Sequence, residues 1–114
     1  MIFQPNGGAG GGGLEVIENQ PADLSHPTGG SIVGDAYVIQ LEKPALFVIA
    51  TSAGTNVFGP ASGDKYGKSI CVSRGGSIKW NWGGSANGIG ISLSADGMTL
   101  GLPPAWSCGF VAIG

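Results

Sequence analysis

The chain has 114 residues, which suffices for one domain with little left for a second. Glycine supplies 23 of them and only 11% are charged, yet 42% are hydrophobic, a share that disordered glycine-rich chains lack. The net charge is −2 and the five basic residues are scattered, which argues against nucleic acid as a partner.

The chain opens on a glycine-rich segment with an apolar tip. The start MIFQP is followed by residues 7–13, which are all glycine except Ala9. Fixing glycine costs more backbone entropy than fixing any other residue, so such a leader is useful where it threads between neighbouring molecules. We therefore predict an attachment arm over residues 1–13 and a folded domain over residues 14–114; the alternative is a disordered leader. The predicted arm contacts are Ile2, Phe3, Pro5, Gly7, Gly8, Gly10, Gly11, Gly12 and Gly13.

Beyond the arm, short β-prone runs alternate with turn residues, and no segment has a sustained helical period. The predicted strands are 14–18, 33–42, 45–51, 68–73, 77–82, 88–94, 98–102 and 107–113. The clearest hairpin is LSADGMTL, where Asp96 and Gly97 suit a tight turn. Many short strands separated by turn signals are typical of an all-β fold. The sequence predicts an antiparallel β-sandwich or jelly-roll-like domain.

The run ALFVIA at 45–50 is apolar on both of its faces. Leu46, Val48 and Ala50 alternate with Phe47 and Ile49. Burying both faces requires cover on both sides, which a subunit interface supplies better than one small sandwich. The run therefore predicts a homo-oligomer, with Leu46, Phe47, Val48 and Ile49 as the candidate interface.

The stretch SIKWNWGGSANG at 77–88 combines tryptophans with amides. Trp80 and Trp82 alternate in step with Ile78, which favours a place in the core. The alternatives are a contact between subunits and a platform on which the apolar faces of a sugar would stack. For that platform the candidate glycan or receptor contacts are Trp80, Asn81, Trp82 and Asn87.

Motifs that resemble catalytic signatures fail on their context. GAGGGG at 8–13 matches a dinucleotide fingerprint, but a strand follows it where the motif needs a helix. His26 stands in one loop with Ser25 and Asp23, whereas a catalytic triad converges from separate parts of a fold. We therefore expect a protein that is not an enzyme and that has no cofactor.

The two cysteines, Cys71 and Cys108, fall in different predicted strands. We expect buried thiols, with a disulfide as the alternative if those strands are neighbours. Two cysteines and one distant histidine lack the spacing of metal ligands. No run is long enough to span a bilayer, and no secretory signal is present, so we expect synthesis in a cytoplasm and no membrane partner.

The two ends of the chain carry a family resemblance. MIFQP running into polyglycine and a strand, and the ending LSADGMTLGLPPAWSCGFVAIG, resemble small structural proteins of tailed bacteriophages and prophages, especially tail-fibre-like ones. The resemblance covers roughly residues 1–18 and 91–114 and transfers no functional residue. It implies a β-domain of the virion tail, assembled as a homotrimer and attached to other virion proteins through its arm. The alternatives are a capsid decoration or head-fibre protein and a small lectin-like module that binds a host-surface glycan.

Overall fold

The computed structural model describes residues 13–23, 27–34, 36–53, 57–58, 68–82, 85–103 and 108–114, with the backbone alone at 57–58, 79–82 and 85–89. Within these ranges all of the regular structure is β. The strands are β1 Val16–Gln20, β2 Gly30–Val33, β3 Ala36–Gln40, β4 Phe47–Ser52, β5 Val57–Phe58, β6 Ser69–Ser73, β7 Ser77–Trp82, β8 Ser85–Leu93, β9 Thr99–Leu102 and β10 Cys108–Ile113.

The strands form two antiparallel sheets. The four-stranded sheet has the order β1-β10-β4-β6, and the six-stranded sheet has the order β2-β3-β9-β8-β7-β5. The chain crosses between the sheets repeatedly, because strands of the smaller sheet are separated in sequence by strands of the larger one. This arrangement is all-β as predicted and is consistent with a β-sandwich.

One apolar cluster joins the two sheets. In β4 and β10 alternate residues are buried, namely Val48 and Ala50 on the first strand and Phe110 and Ala112 on the second. These alternations, and the matching ones in β8 and β9, are the period-two patterns of strands with one face on a core. The buried cluster comprises Ile39, Leu41, Ala45, Val48, Ala50, Val72, Ile91, Leu93, Leu100, Leu102, Cys108, Phe110 and Ala112.

The predicted hairpin at Asp96 and Gly97 joins β8 to β9. The Asp96 carboxylate accepts hydrogen bonds from the Ser94 hydroxyl and, at 3.0 Å, from the Met98 amide. Gly97 has a φ of 75°, in the left-handed region that glycine adopts without steric cost. Local turn chemistry therefore determines this connection, and the prediction is confirmed.

The prediction of one strand over 33–42 is wrong. The segment is split between β2 and β3, which pair as a hairpin with Val33 opposite Ala36. Gly34 has a φ of 60°, which an extended strand does not contain, so the chain reverses there. The first strand also lies two residues later than predicted, and the short β5 has no counterpart among the predicted strands.

Candidate assembly interface

The face of the four-stranded sheet turned away from the core is apolar across three strands. In one row Val16, Ile113 and Phe47 lie side by side on β1, β10 and β4. In the next row Val111 on β10 lies between Ile49 on β4, which is apolar, and Asn19 on β1, which is polar. Residues directly opposite each other on neighbouring strands are close enough for their side chains to pack. We call these five apolar residues the outer patch.

The outer patch is open to solvent in the single chain. Val16 exposes 57% of its surface and Ile49 exposes 38%. Phe47, Val111 and Ile113 are half-buried. Large contiguous apolar surfaces are rare on monomeric proteins and mark sites of interaction.

On β4, β6 and β10 the positions around the outer patch are uncharged. On the outward faces of β4, β6 and β10, the polar side chains are short hydroxyl groups and one thiol. Removing such groups from water costs less free energy than burying a charge. The hydroxyl groups of Thr51 and Ser69 also form a hydrogen bond with each other, with their oxygens 2.9 Å apart. The outward residues of these three strands are Phe47, Ile49, Thr51, Ser69, Cys71, Ser73, Gly109, Val111 and Ile113.

The predicted interface residues divide between the two faces of β4. Val48 is fully buried in the core, so its side chain does not take part in a surface contact. Phe47 and Ile49 belong to the outer patch. Leu46 is 44% exposed just before β4, where its amide donates to Ile113 O at 2.7 Å and its carbonyl accepts from the Arg74 amide at 2.9 Å. The apolarity of both faces therefore has two separate reasons, the core on one side and an open surface on the other.

Sequence reasoning missed three members of the outer patch: Val16, Val111 and Ile113. A signal was available for two of them, because the run CGFVAI at 108–113 is apolar at both alternating sets of positions, as ALFVIA is. Val16 gives no such signal, since its membership depends on the pairing of β1 with β10.

The two cysteines lie on opposite faces of the same sheet. Cys71 on β6 is exposed opposite Ile49, whereas Cys108 on β10 is buried opposite Ser52. Both thiols are free, and β4 separates their strands. The expectation of buried thiols is therefore right for Cys108 and wrong for Cys71. Burial raises the pKa of the Cys108 thiol to about 11.

At the far end of β1 the chain crosses closely over β10. A side chain on Gly109 would collide with the carbonyl of Gln20 and the amide of Ala22. The absence of a side chain on Gly109 therefore permits Pro21 and Ala22 to cross there. Sequence reasoning did not single out Gly109.

This crossing forms one wall of a groove beside the outer patch. The groove has a volume of about 180 Å³. Ile49 and Val111 of the outer patch also line it, so the groove and the patch form one continuous surface. The other residues that contribute to it include Pro21, Ala22, Thr51 and Gly109.

The predicted arm lies outside the described residues, except for Gly13. The root of the arm is held at the other end of β1, where the Glu15 amide donates to Gly114 O at 2.9 Å and the Gly114 amide donates to Glu15 O at 3.0 Å. Lys43 Nζ also contacts Glu15 Oε1 at 2.7 Å, and this hydrogen bond raises the pKa of Lys43. The arm therefore leaves the domain from the sheet that carries the outer patch.

The candidate glycan contacts lie on two neighbouring strands. Trp80, Asn81 and Trp82 belong to β7, with Trp80 opposite Phe58 in register, and Asn87 belongs to β8. The pairing of β7 with β8 shifts twice, so simple alternation does not carry across this region. The structure describes only the backbone of these four candidate residues, and their role in binding a glycan stays a prediction.

Neither a metal centre, nor a membrane-spanning helix, nor a known relative adds a site among the described residues. Among the described residues, no group of three or more His, Cys, Asp or Glu side chains could hold a metal ion. In the same part of the chain, no helix is long and apolar enough to cross a membrane. No family model, curated protein or solved structure matches this chain.

Proposed function

We propose that this protein is a non-enzymatic structural protein of a bacteriophage virion, which assembles as a homo-oligomer through its outer patch. Residues 1–13 attach it to other virion proteins. The observation that carries the assembly is the outer patch itself, an apolar and uncharged surface that extends over β1, β10 and β4. Both chain ends resemble tail-fibre-like phage proteins. This resemblance supports the proposal that the protein belongs to a virion, lies in its tail and forms a trimer.

The chemistry of the outer patch suits a permanent interface. Permanent interfaces resemble a protein core, and charged residues are depleted from their centres. β4 meets this description on both sides, because Val48 and Ala50 face the core while Phe47 and Ile49 face outward. A second copy placed on the outer face would bury this strand on both sides.

The same proposal includes a jelly-roll-like arrangement of the sandwich. Its support is the way the chain passes between the sheets, with β1, β4, β6 and β10 in one sheet and the intervening strands in the other. Such folds are common among viral structural domains. Their rigid two-sheet form would suit a domain that serves as a building block.

The proposed assembly can be tested by comparing the native mass of the wild-type protein with that of a variant that carries one charge on the outer patch. Wild-type protein is expected to be oligomeric by light scattering, and Ile49→Asp is expected to be a folded monomer, because a buried interface would leave its charge unpaired. Ile32→Asp is the matched control, since Ile32 is 57% exposed on the edge strand of the other sheet. The control should keep the mass of the wild type.

Two outcomes would contradict the assembly. If the wild-type protein is a monomer at about tens of micromolar, the proposed homo-oligomer does not form. If the Ile49→Asp protein has the same native mass as the wild type, the outer patch is not the interface and stays open to water. The virion part has its own test, in which peptides of this chain should be found by mass spectrometry in purified phage particles. Particles that lack the chain would overturn that part.

A further inference from the structure

We infer that the groove beside the outer patch binds Phe3 from the arm of a second copy. The inference is drawn from the size and position of the groove and from the place where the arm joins the domain. The inference rests on the proposed assembly and adds to it a specific contact between subunits. Phe3 lies beside Ile2 in the apolar tip of the arm, and it is the only aromatic residue of the arm.

The size of the groove suits one aromatic ring. Its volume is about 180 Å³. For comparison, an apolar cavity of about 150 Å³ in a protein interior accommodates benzene. Ile49, Val111, Pro21 and Ala22 provide apolar surface around the space.

The wall of the groove is formed before any ligand arrives. Pro21 has a restricted backbone, and the crossing over Gly109 leaves no space for the wall to move inward. A preformed site avoids the cost of ordering its own residues on binding. Most of that cost falls instead on the glycines of the arm.

The arm is long enough to reach the groove from a neighbouring copy. Gly13 lies at one end of β1 and the groove at the other, seven residues on, which is about 23 Å along a strand. Phe3 lies ten positions before Gly13, and ten extended residue steps span about 33 Å. A copy seated on the outer patch can therefore deliver its Phe3 whichever way its strands run.

The groove and the outer patch share part of their surface, which favours the arm of a second copy over the chain's own arm as the occupant of the groove. Because Ile49 and Val111 belong to both, a copy that covers the outer patch also shields one side of a ring bound in the groove. The chain's own arm would have to reverse at Gly13 and return along the length of β1. On that path it would compete with the second copy for the outer patch.

Disulfide trapping in the full-length chain tests the inference while keeping Phe3. Gln4→Cys places a thiol beside Phe3, Ala22→Cys places one on the exposed rim of the groove, and Cys71→Ser removes the exposed native thiol. A disulfide requires Cα atoms within about 7 Å of each other, so the link reports docking. The matched control replaces Ala22→Cys with Ser31→Cys, an exposed position on β2 of the other sheet.

Oxidation is expected to give covalent dimers or larger species from the Ala22→Cys protein and none from the control. Adding Phe3→Ser should abolish the product, whereas Phe3→Leu should retain it. A link within one chain, seen as monomer mass on a non-reducing gel together with loss of the two introduced thiols in a thiol assay of the denatured protein, would overturn docking in a second copy. Absence of the link in a protein that still has oligomeric native mass would overturn the inference alone, whereas monomeric native mass would overturn the proposed assembly with it.

Discussion

Ile49 and Cys71 are register partners on β4 and β6, and both lie on the face of the four-stranded sheet turned away from the core. The exposed thiol of Cys71 therefore reports on the surroundings of the outer patch. Cys108 does not interfere, because it is buried and its pKa is raised to about 11. At neutral pH its reactive thiolate is scarce.

The reactivity of Cys71 should follow the assembly state. In the proposed oligomer we expect slow reaction with a thiol reagent such as dithiobisnitrobenzoate, because a second copy would cover the neighbourhood of Ile49. Ile49→Asp should release one fast-reacting thiol per chain, and unfolding in urea should release the second. Fast reaction of Cys71 in a protein of oligomeric mass would show that the interface lies elsewhere.

Gly97 should tolerate alanine less well than Gly34. Both have positive φ, 75° and 60°, where an L side chain costs about 1–2 kcal/mol. A side chain on Gly34 meets nothing within 4 Å, but one on Gly97 collides with the carbonyl of Ala45. That collision also disturbs the 2.9 Å hydrogen bond from the Ala45 amide to Gly97 O.

We therefore expect Gly34→Ala to lower the free energy of unfolding by about 1 kcal/mol and Gly97→Ala by about 3 kcal/mol. Urea unfolding followed by circular dichroism measures both. Equal losses would show that the contact between the β8–β9 turn and Ala45 contributes little to stability.

The stability contribution of Asp96 should depend on pH. The Ser94 hydroxyl and the Met98 amide donate to its carboxylate and lower the pKa of Asp96 below the ordinary value of 3.8. A carboxylate with a lowered pKa in the folded state stabilises the fold above its unfolded pKa, and this contribution is lost as the pH falls through the folded pKa. Asp96→Ala should therefore be less stable than wild type at pH 7, with a difference that shrinks below about pH 4. Denaturant midpoints across this range measure it, and a difference that grows toward acid would contradict the assignment.

Tyr37 should hold the loop before β2 against β3. Its hydroxyl donates to the Pro27 carbonyl and accepts from the Gly30 amide at 3.0 Å. Tyr37→Phe leaves both backbone groups without this partner, so we expect a loss of about 1–2 kcal/mol in the free energy of unfolding. Ser69→Ala, which removes the exposed hydrogen bond to Thr51, is the control and should cost under about 0.5 kcal/mol. Similar losses in the two variants would contradict a special role for Tyr37.

Much of the fold could be predicted because the relevant signals are local. Short β-prone runs between turn residues predicted the strands over 88–94 and 98–102, and the Asp96-Gly97 pair predicted the hairpin that joins them. The break at Gly34 was missed although Gly34 and Asp35 are both disfavoured in strands, because the β-prone residues on either side of them resemble one continuous strand. A strand pattern also does not say which of two apolar faces will lie in the core.

The sequence by itself determined an all-β chain, the Asp96-Gly97 hairpin and a strand at ALFVIA with two apolar faces, since these follow from neighbouring residues. Tertiary structure alone decided that Val48 faces inward and Ile49 outward, that Cys71 is exposed, and that Val16 joins Val111 and Ile113 in the outer patch. It also decided that Pro21 crosses Gly109 to form the groove. The physical reason is that these relationships join segments as far apart in sequence as Val16 and Ile113, and register between distant strands is set by the packing of the whole core.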